Sequence, residues 1–310
     1  MSTSNVAPRA GYVHHPGEPV RGPLDASVPH AATGAELQLV FTDDGLYVPF
    51  LFKRPAGEGP HPTVICLHPG SGGLGLPYLS DQLNEQSYLL DRLVEAGFAI
   101  AVAEGRCEDE GAYGRPETHH TLDHDDVVAI FRRVVELPDI DPQRVAFFGV
   151  SHGGEIQLKA TSALGGGPAA GATSALGATP AALVPTEPAV IELLGLKYPD
   201  ARIEAELQYR REVGDEEIDL ERALERIARI PDDLPILVIG RDDDHLQGVF
   251  RKAFELLQRA GKRVEWTSFD HPDHAYQFGP RREAGGYFPD AVTVATADRV
   301  IAFLGEQLLR

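Results

Sequence analysis

One ten-residue segment restricts the fold more than any other part of the chain. Val145–Val150 is an apolar run that predicts a strand, and it leads into a G-x-S-x-G-G motif centred on Ser151. The amphipathic stretch Gly153–Leu164 after it predicts a helix. A serine in this context occupies a sharp strand-to-helix turn, where Gly149 and Gly153 are needed because side chains would collide across the turn. Its hydroxyl is presented at a helix N-terminus, which favours developing negative charge. Ser151 is therefore a candidate nucleophile, and a chance match in a loop is the alternative.

Short apolar runs alternate with amphipathic stretches along the rest of the chain. A hairpin is predicted at Leu37–Phe41 and Leu46–Phe52, because Asp43-Asp44-Gly45 between them is a turn signal. The later predicted strands are Thr63–His68, Ala99–Glu104, Val145–Val150, Ala169–Ala175, Ile236–Gly240 and Val264–Phe269. The predicted helices are Asp81–Ala96, Leu122–Leu137, Gly153–Leu164, Gln247–Ala260 and Ala291–Leu309. This order predicts an α/β fold with a doubly wound, mostly parallel eight-stranded sheet.

The chain divides into an arm and one large domain. Residues 1–36 are rich in Pro, Gly, His and Ala and lack periodicity, so they predict an N-terminal arm. Residues 37–310 predict the sheet domain. Within it, residues 177–234 are too long for a simple crossover and predict a helical cap insertion. With 43% hydrophobic residues and two cysteines, Cys66 and Cys107, the domain can form its core without a disulfide framework.

The charge balance narrows the range of partners. The chain has 28 Lys and Arg against 47 Asp and Glu, a formal charge of −19, which repels nucleic acid and anionic membranes. The N-terminus has no apolar segment typical of a secretory signal, and no apolar run is long enough for a membrane helix, so a cytoplasmic location is expected. A homo-oligomer is compatible with the sequence.

A serine nucleophile needs a base, and the base needs an orienting acid. On a sheet of this type the chain order is nucleophile, acid, histidine. The strand Ile236–Gly240 leads into three acidic residues, Asp242, Asp243 and Asp244, and the last predicted strand leads into two histidines, His271 and His274. Any of the three aspartates is a candidate acid and either histidine a candidate base. An acid after the Ala169–Ala175 strand is a further alternative.

These motifs resemble the α/β-hydrolase superfamily, in particular its dienelactone-hydrolase-like and prolyl-oligopeptidase-like branch, over residues 37–310. In that branch the acid follows a strand in a G-x-x-D pattern, and the resemblance implies Asp243, in Gly240-Arg241-Asp242-Asp243. The base there is followed by a small residue and an aromatic one, which implies His274, in His274-Ala275-Tyr276. Two features depart from the branch: dienelactone hydrolases have cysteine at the position of Ser151, and the arm is too short for the propeller of prolyl oligopeptidases.

Acyl transfer also needs backbone donors for the oxyanion. The N–H of His152, directly after the nucleophile, is one candidate. The loop His68-Pro69-Gly70-Ser71-Gly72-Gly73 resembles the H-G-x-x-G loop of the superfamily and would supply the other. Pro69 has no N–H, so Gly70 is preferred over Ser71.

The expected function is that of a serine hydrolase that cleaves a small-molecule carboxylic ester through an acyl-enzyme, with no cofactor and no metal. A peptidase or amidase with the same triad is the alternative, and a ligand-binding protein without catalysis is a third hypothesis. His120 and His124 have the i, i+4 spacing of a zinc pair. A third ligand of fixed spacing is missing, and the neighbouring aspartates are typical of a helix start.

Overall fold

A central mixed sheet organises the chain. The computed structural model describes residues 27–30, 34–42, 47–69, 79, 83, 87–103, 119–165, 178–197, 212–280 and 283–310. Within these segments, nine strands form one sheet in the order β1-β2-β3-β5-β4-β6-β7-β8-β9. The strands are β1 Ser27–His30, β2 Ala35–Phe41, β3 Tyr47–Lys53, β4 His61–Leu67, β5 Ala99–Ala103, β6 Ile140–Val150, β7 Leu183–Thr186, β8 Ile236–Arg241 and β9 Val264–Phe269. The first three strands are antiparallel to their neighbours, and β5, β4, β6, β7, β8 and β9 are parallel.

Helices cover both faces of the sheet. They are α1 Tyr88–Glu95, α2 His119–Val135, α3 His152–Gly165, α4 Ile191–Leu194, α5 Leu220–Ala228, α6 Gln247–Arg259 and α7 Ala291–Leu308. Short 3-10 turns occur at Asp215–Glu217 and Tyr276–Phe278. None of the helices in the described segments is both long enough and apolar enough to span a membrane.

The alternation of side chains along the strands creates two cores. In β4, Ile65 and Leu67 pack into one core, whereas Val64 and Cys66 pack into the other. The first core includes residues of α2, α3 and α6, and the second includes residues of α1 and α7. Because both faces are buried, β4 and β5 are apolar almost throughout rather than alternating, as expected for strands in the middle of a parallel sheet.

The predicted fold class is confirmed, and two boundaries differ from the prediction. Ser27–His30, in the predicted arm 1–36, forms β1 and pairs antiparallel with β2, so the sheet has one strand more than the eight predicted. The predicted strand Ala169–Ala175 lies outside the described residues. The strand between β6 and β8 is β7, Leu183–Thr186, inside the predicted cap 177–234.

The cap prediction is therefore wrong for residues 183–186. This strand is only four residues long and lies among prolines, a composition typical of a loop. The described helices of the insertion, α4 and α5, pack against α3. Ser162 Oγ of α3 donates a hydrogen bond of 2.8 Å to the carbonyl oxygen of Arg226 in α5.

Candidate active site

Ser151 lies on a strained turn between β6 and α3. Its φ angle is 54°, in the left-handed region that a non-glycine residue seldom occupies. Two hydrogen bonds join this turn to the end of β7 and the loop after it. Ser151 N–H donates to Thr186 O at 2.9 Å, and Ala189 N–H donates to Ser151 O at 3.0 Å. A strained backbone held by its surroundings is common at functional sites.

The two glycines of the motif have the packing role that the sequence predicts. A Cβ atom added to Gly153 would lie 2.5 Å from the carbonyl oxygen of Leu67 in β4. A Cβ atom on Gly149 would collide with the carbonyl oxygen of Gly153 across the turn. The predicted strand, tight turn and helix around Ser151 are therefore confirmed.

His274 is held by two buried carboxylates. Its Nδ1 atom lies 2.9 Å from Asp244 Oδ2 and 2.7 Å from Glu187 Oε2. Glu187 directly follows β7, Asp244 lies three residues after β8, and His274 lies in the loop after β9. Ser151 follows β6, the neighbour of β7. Since β6, β7, β8 and β9 run parallel, all four residues belong to the carboxyl edge of the sheet, where α/β proteins bind ligands.

The prediction that Asp243 contacts His274 is wrong by one residue. Asp243 is exposed, whereas Asp244 is fully buried and makes the hydrogen bond to His274. The cause is the backbone at Asp243, whose φ of 59° turns the chain so that the next side chain points inward. Asp242 bonds elsewhere, accepting a hydrogen bond of 2.6 Å from Ser268 Oγ.

Asp244 is fixed in its ionised form. Leu246 N–H donates to Oδ1 at 2.7 Å, and Arg241 Nε donates to Oδ2 at 2.9 Å. Burial alone would raise the pKa of Asp244, but the hydrogen bonds from His274 and Leu246 and the positive charges of His274 and Arg241 lower this pKa to about 2.

The same contacts make His274 more basic than a free histidine. Burial of the ring would lower its pKa, but the hydrogen bonds to Asp244 and Glu187 and their negative charges raise the pKa of His274 to about 9. The ring of His245 approaches that of His274 edge-on, with 5.6 Å between the ring centroids. His245 Nδ1 also lies 3.2 Å from Asp244 Oδ1.

His271, the alternative base, has a different set of contacts. Its ring stacks on Tyr276 with 4.1 Å between centroids, and its Nε2 lies 3.1 Å from Asp290 Oδ2. Its Nδ1 accepts a hydrogen bond of 3.0 Å from Asp273 N–H. Both nitrogens and one ring face of His271 are thus engaged in holding the loop to the start of α7, which leaves His274 as the better candidate base.

The described residues include one of the two predicted oxyanion donors. His152 is the first residue of α3, so its backbone N–H is at the helix N-terminus next to Ser151, as expected of an oxyanion donor. Gly70 and its alternative Ser71 lie outside the described residues, and the second donor stays a prediction.

Two groups of functional interest were not predicted from the sequence. Glu187 is one of them. Its position directly after β7 would have indicated a site residue, but only if β7 had been predicted as a strand. The other is a buried ion network around the first turns of α3, in which His152 and Lys159 each contact Asp123. Asp123 and Lys159 lie at positions where the sequence pattern predicts an ordinary helix.

Within the described segments, one group of side chains has the composition of a metal site. One ligand atom from each of Glu187, Asp244 and His274 lies within 4.8 Å of the others. Arg241 Nε lies 2.9 Å from Asp244 Oδ2 and 3.8 Å from Glu187 Oε2. A protein cation thus already offsets part of the charge of these carboxylates, which disfavours a metal ion there. In the other candidate pair, the side chain of His120 lies outside the described residues.

Solved structures share this architecture at low sequence identity. No family model matches the chain. The esterase of Pyrobaculum calidifontis is similar with a TM-score of 0.59 and 16% identity, over 88% of this chain and 85% of that one. An esterase of Rhizomucor miehei has a TM-score of 0.60 and 16% identity, over 89% and 84%. A bacterial heroin esterase has a TM-score of 0.57 and 21% identity, over 89% and 86%. Together with the strand order and the turn at Ser151, these similarities show that the chain has the α/β-hydrolase fold.

Proposed function

We propose that the protein is a serine hydrolase that cleaves a small-molecule carboxylic ester. The observation that carries this proposal is that one sheet edge combines a strained serine turn with a histidine paired to a buried carboxylate. Ser151 is the nucleophile, His274 the base and Asp244 the acid, which replaces Asp243 of the sequence prediction. No cofactor or metal enters this chemistry.

The reaction proceeds in two halves. His274 Nδ1 is engaged by carboxylates, so Nε2 is the nitrogen that takes the proton from Ser151 Oγ as Oγ attacks the acyl carbon. The backbone N–H groups of His152 and Gly70 stabilise the oxyanion. His274 then gives the proton to the departing alcohol, and a water molecule, activated by the same nitrogen, cleaves the acyl-enzyme.

The preference for an ester over an amide rests on the neighbours named above, each of which is called an esterase. A peptidase or amidase is the second candidate, carried by the resemblance of His274-Ala275-Tyr276 to the prolyl-oligopeptidase-like branch. The G-x-x-D pattern, the second feature shared with that branch, gives it less support than the sequence analysis expected. Asp244 lies four residues after Gly240 rather than three, so the G-x-x-D pattern does not coincide with the carboxylate that contacts His274.

The test combines labelling with turnover. A fluorophosphonate probe should label the folded protein, and peptide mass spectrometry should locate the label on Ser151. p-Nitrophenyl esters of graded acyl length should be hydrolysed, whereas matched p-nitroanilides should react far more slowly.

Ser151→Ala is the control variant, and it should abolish labelling and lower kcat by about 10³-fold or more, as losses of triad residues do. Labelling at another residue, or turnover by the variant close to that of the wild type, would refute the assignment. Faster anilide than ester turnover would favour the peptidase.

A further inference from the structure

The contacts of His274 include one carboxylate more than a serine–histidine–acid triad requires. Glu187 Oε2 lies 2.7 Å from His274 Nδ1, which is slightly closer than Asp244 Oδ2 at 2.9 Å. A single Nδ1–H is thus within hydrogen-bonding distance of both oxygens. We propose that Glu187 is a second positioning residue that shares with Asp244 the orientation of the His274 imidazole. This inference rests on the proposed role of His274 as the base.

The conformation of Glu187 is unusual for a residue with only a packing role. It has a φ angle of 45°, and its side chain is fully buried. Each of these features costs free energy, because the left-handed region is strained for a residue with a side chain and an ionised carboxylate loses its hydration on burial. The backbone is held in place by the Glu187 N–H, which donates to Ile239 O of β8 at 2.6 Å.

The carboxylate is fully engaged with the histidine loop. Oε2 accepts a hydrogen bond of 3.0 Å from the Ala275 N–H, and Oε1 accepts one of 2.5 Å from Gln277 Nε2. Ala275 is itself left-handed, with a φ of 62°. Glu187 therefore fixes both the ring of His274 and the backbone of the residue after it.

The local charges show what a second carboxylate adds. Among the residues that the structure describes, the charged and titratable groups around His274 are Glu187, Asp244, Arg241 and His245. With Arg241 positive and both carboxylates negative, these three side chains carry a net charge of −1, which a proton on His274 compensates. Above about pH 9, where His274 is unprotonated in the resting enzyme, the imidazolium that forms as Ser151 attacks is compensated by two carboxylates, which favours the transition state over the resting enzyme.

A purely structural role is the competing explanation, since Glu187 could serve only to hold Ala275 and Gln277. Four variants separate the two explanations: Glu187→Gln, Asp244→Asn, the double variant, and Asp243→Asn. The last removes the same charge from the exposed neighbour of Asp244, and asparagine tolerates the positive φ there. The side chain introduced by Glu187→Gln should fit, because Gln277 Oε1 is buried and has no hydrogen-bond partner among the described residues, and a flipped Gln277 amide could accept from the new NH₂ group.

Two readouts are needed. One is kcat on an activated ester, taken from the alkaline plateau of the pH–rate profile where His274 is unprotonated in every variant, and the other is the NMR titration of ¹³C-labelled His274. Loss of the single acid of a triad lowers kcat by about 10⁴-fold in a known serine protease, and we expect the double variant to approach this loss. Each single variant should keep at least about tenfold more activity than the double variant, because one carboxylate still orients the ring. The His274 pKa, about 9 in the wild type, should fall in both single variants and fall further in the double variant, while Asp243→Asn leaves it unchanged.

Three results would overturn the proposal. If Glu187→Gln alters neither kcat nor the His274 titration, Glu187 only holds the loop. If Asp244→Asn is as inactive as the double variant while Glu187→Gln is fully active, Asp244 is the sole acid, and the reverse pattern would make Glu187 the sole acid. Failure of the proposed function is distinguishable: a wild-type protein that neither hydrolyses esters nor reacts with fluorophosphonate would still report, through the NMR titration, whether both carboxylates hold His274.

Discussion

The imidazole of His152 lies with its Nε2 atom 3.0 Å from Asp123 Oδ2, and so ties the residue after Ser151 to helix α2. Lys159 Nζ lies 2.7 Å from the other oxygen of Asp123 and 3.0 Å from Glu192 Oε2. Burial would raise the pKa of Asp123, but hydrogen bonds from His124 and His152 and the charges of Lys159 and His152 lower it well below its usual range. A fully buried anion with two cationic neighbours thus anchors the start of α3.

Removing this anion should destabilise the protein. We expect Asp123→Asn to lower the free energy of unfolding by about 3–5 kcal/mol, because the variant leaves Lys159 and His152 without their shared buried counterion. Urea denaturation measures the effect. The control is Asp125→Asn in the same helix: this side chain is 53% exposed, and its loss should change stability by about 0.5 kcal/mol or less. Equal effects of the two substitutions would contradict the anchoring role of Asp123.

The same network predicts how stability depends on pH. Burial lowers the pKa of His152, but hydrogen bonds and charges from Asp123 and Glu155 raise it from 6.5 to about 9. The folded state therefore binds this proton more tightly than the unfolded state. The stabilisation is complete below the unfolded pKa of 6.5 and is lost as pH rises through about 9.

Urea denaturation between pH 6 and pH 10 tests this dependence. The measurement is best made in a His274→Gln background, because the pKa of His274 is raised to about 9 as well. In this background, adding His152→Gln should flatten the fall in stability at alkaline pH. An unchanged slope would show that His152 is not the titrating group.

How far the sequence predicts this molecule depends on how local each feature is. The turn at Ser151 is determined by residues within a few positions, so its motif predicts strand, turn and helix correctly. Which aspartate contacts His274 depends on one backbone angle, the φ of 59° at Asp243. No residue type or spacing in the sequence indicates this angle. Glu187 is harder still to predict, because its role depends on β7, which looks like a loop: the strand contains Pro185 and is flanked by Pro180 and Pro188.

The glycines of the serine turn should tolerate no side chain. In Gly153→Ala the new methyl group would lie 2.5 Å from Leu67 O, a backbone atom in the middle of the sheet that cannot move aside. We expect a large loss of both stability and esterase activity. Gly305→Ala is the matched control in α7, where the added Cβ would be 3.7 Å from the end of the Leu309 side chain. That change should stabilise the helix by about 0.5–1 kcal/mol. Wild-type activity in Gly153→Ala would refute the close approach of α3 to β4.

Alanine variants of the two histidines after β9 should differ in how much catalytic activity each one loses. His274→Ala should lower kcat of the folded fraction by about 10³-fold or more, and it should also lower the melting temperature because Glu187 and Asp244 lose their shared buried partner. His271→Ala removes the stacking on Tyr276 and the contact with Asp290, so it should lower the melting temperature and leave kcat of the folded fraction within a few-fold of wild type. The comparison needs ester hydrolysis and thermal denaturation on the same preparations. A large kcat loss confined to His271→Ala would transfer the role of base to that residue.

The strain at Ser151 should be measurable as a gain in stability when it is relieved. Ser151→Gly and Ser151→Ala both remove the hydroxyl and should both be inactive, but only glycine adopts a φ of 54° without steric cost. The left-handed conformation costs a residue with a Cβ atom about 1–2 kcal/mol, and the greater freedom of glycine in the unfolded chain offsets part of that gain. Ser151→Gly should therefore be more stable than Ser151→Ala by about 1 kcal/mol. Urea denaturation of the two inactive variants measures the difference without interference from turnover. If Ser151→Ala were the more stable variant, the backbone at this turn would not be strained, and the positive φ would not hold in solution.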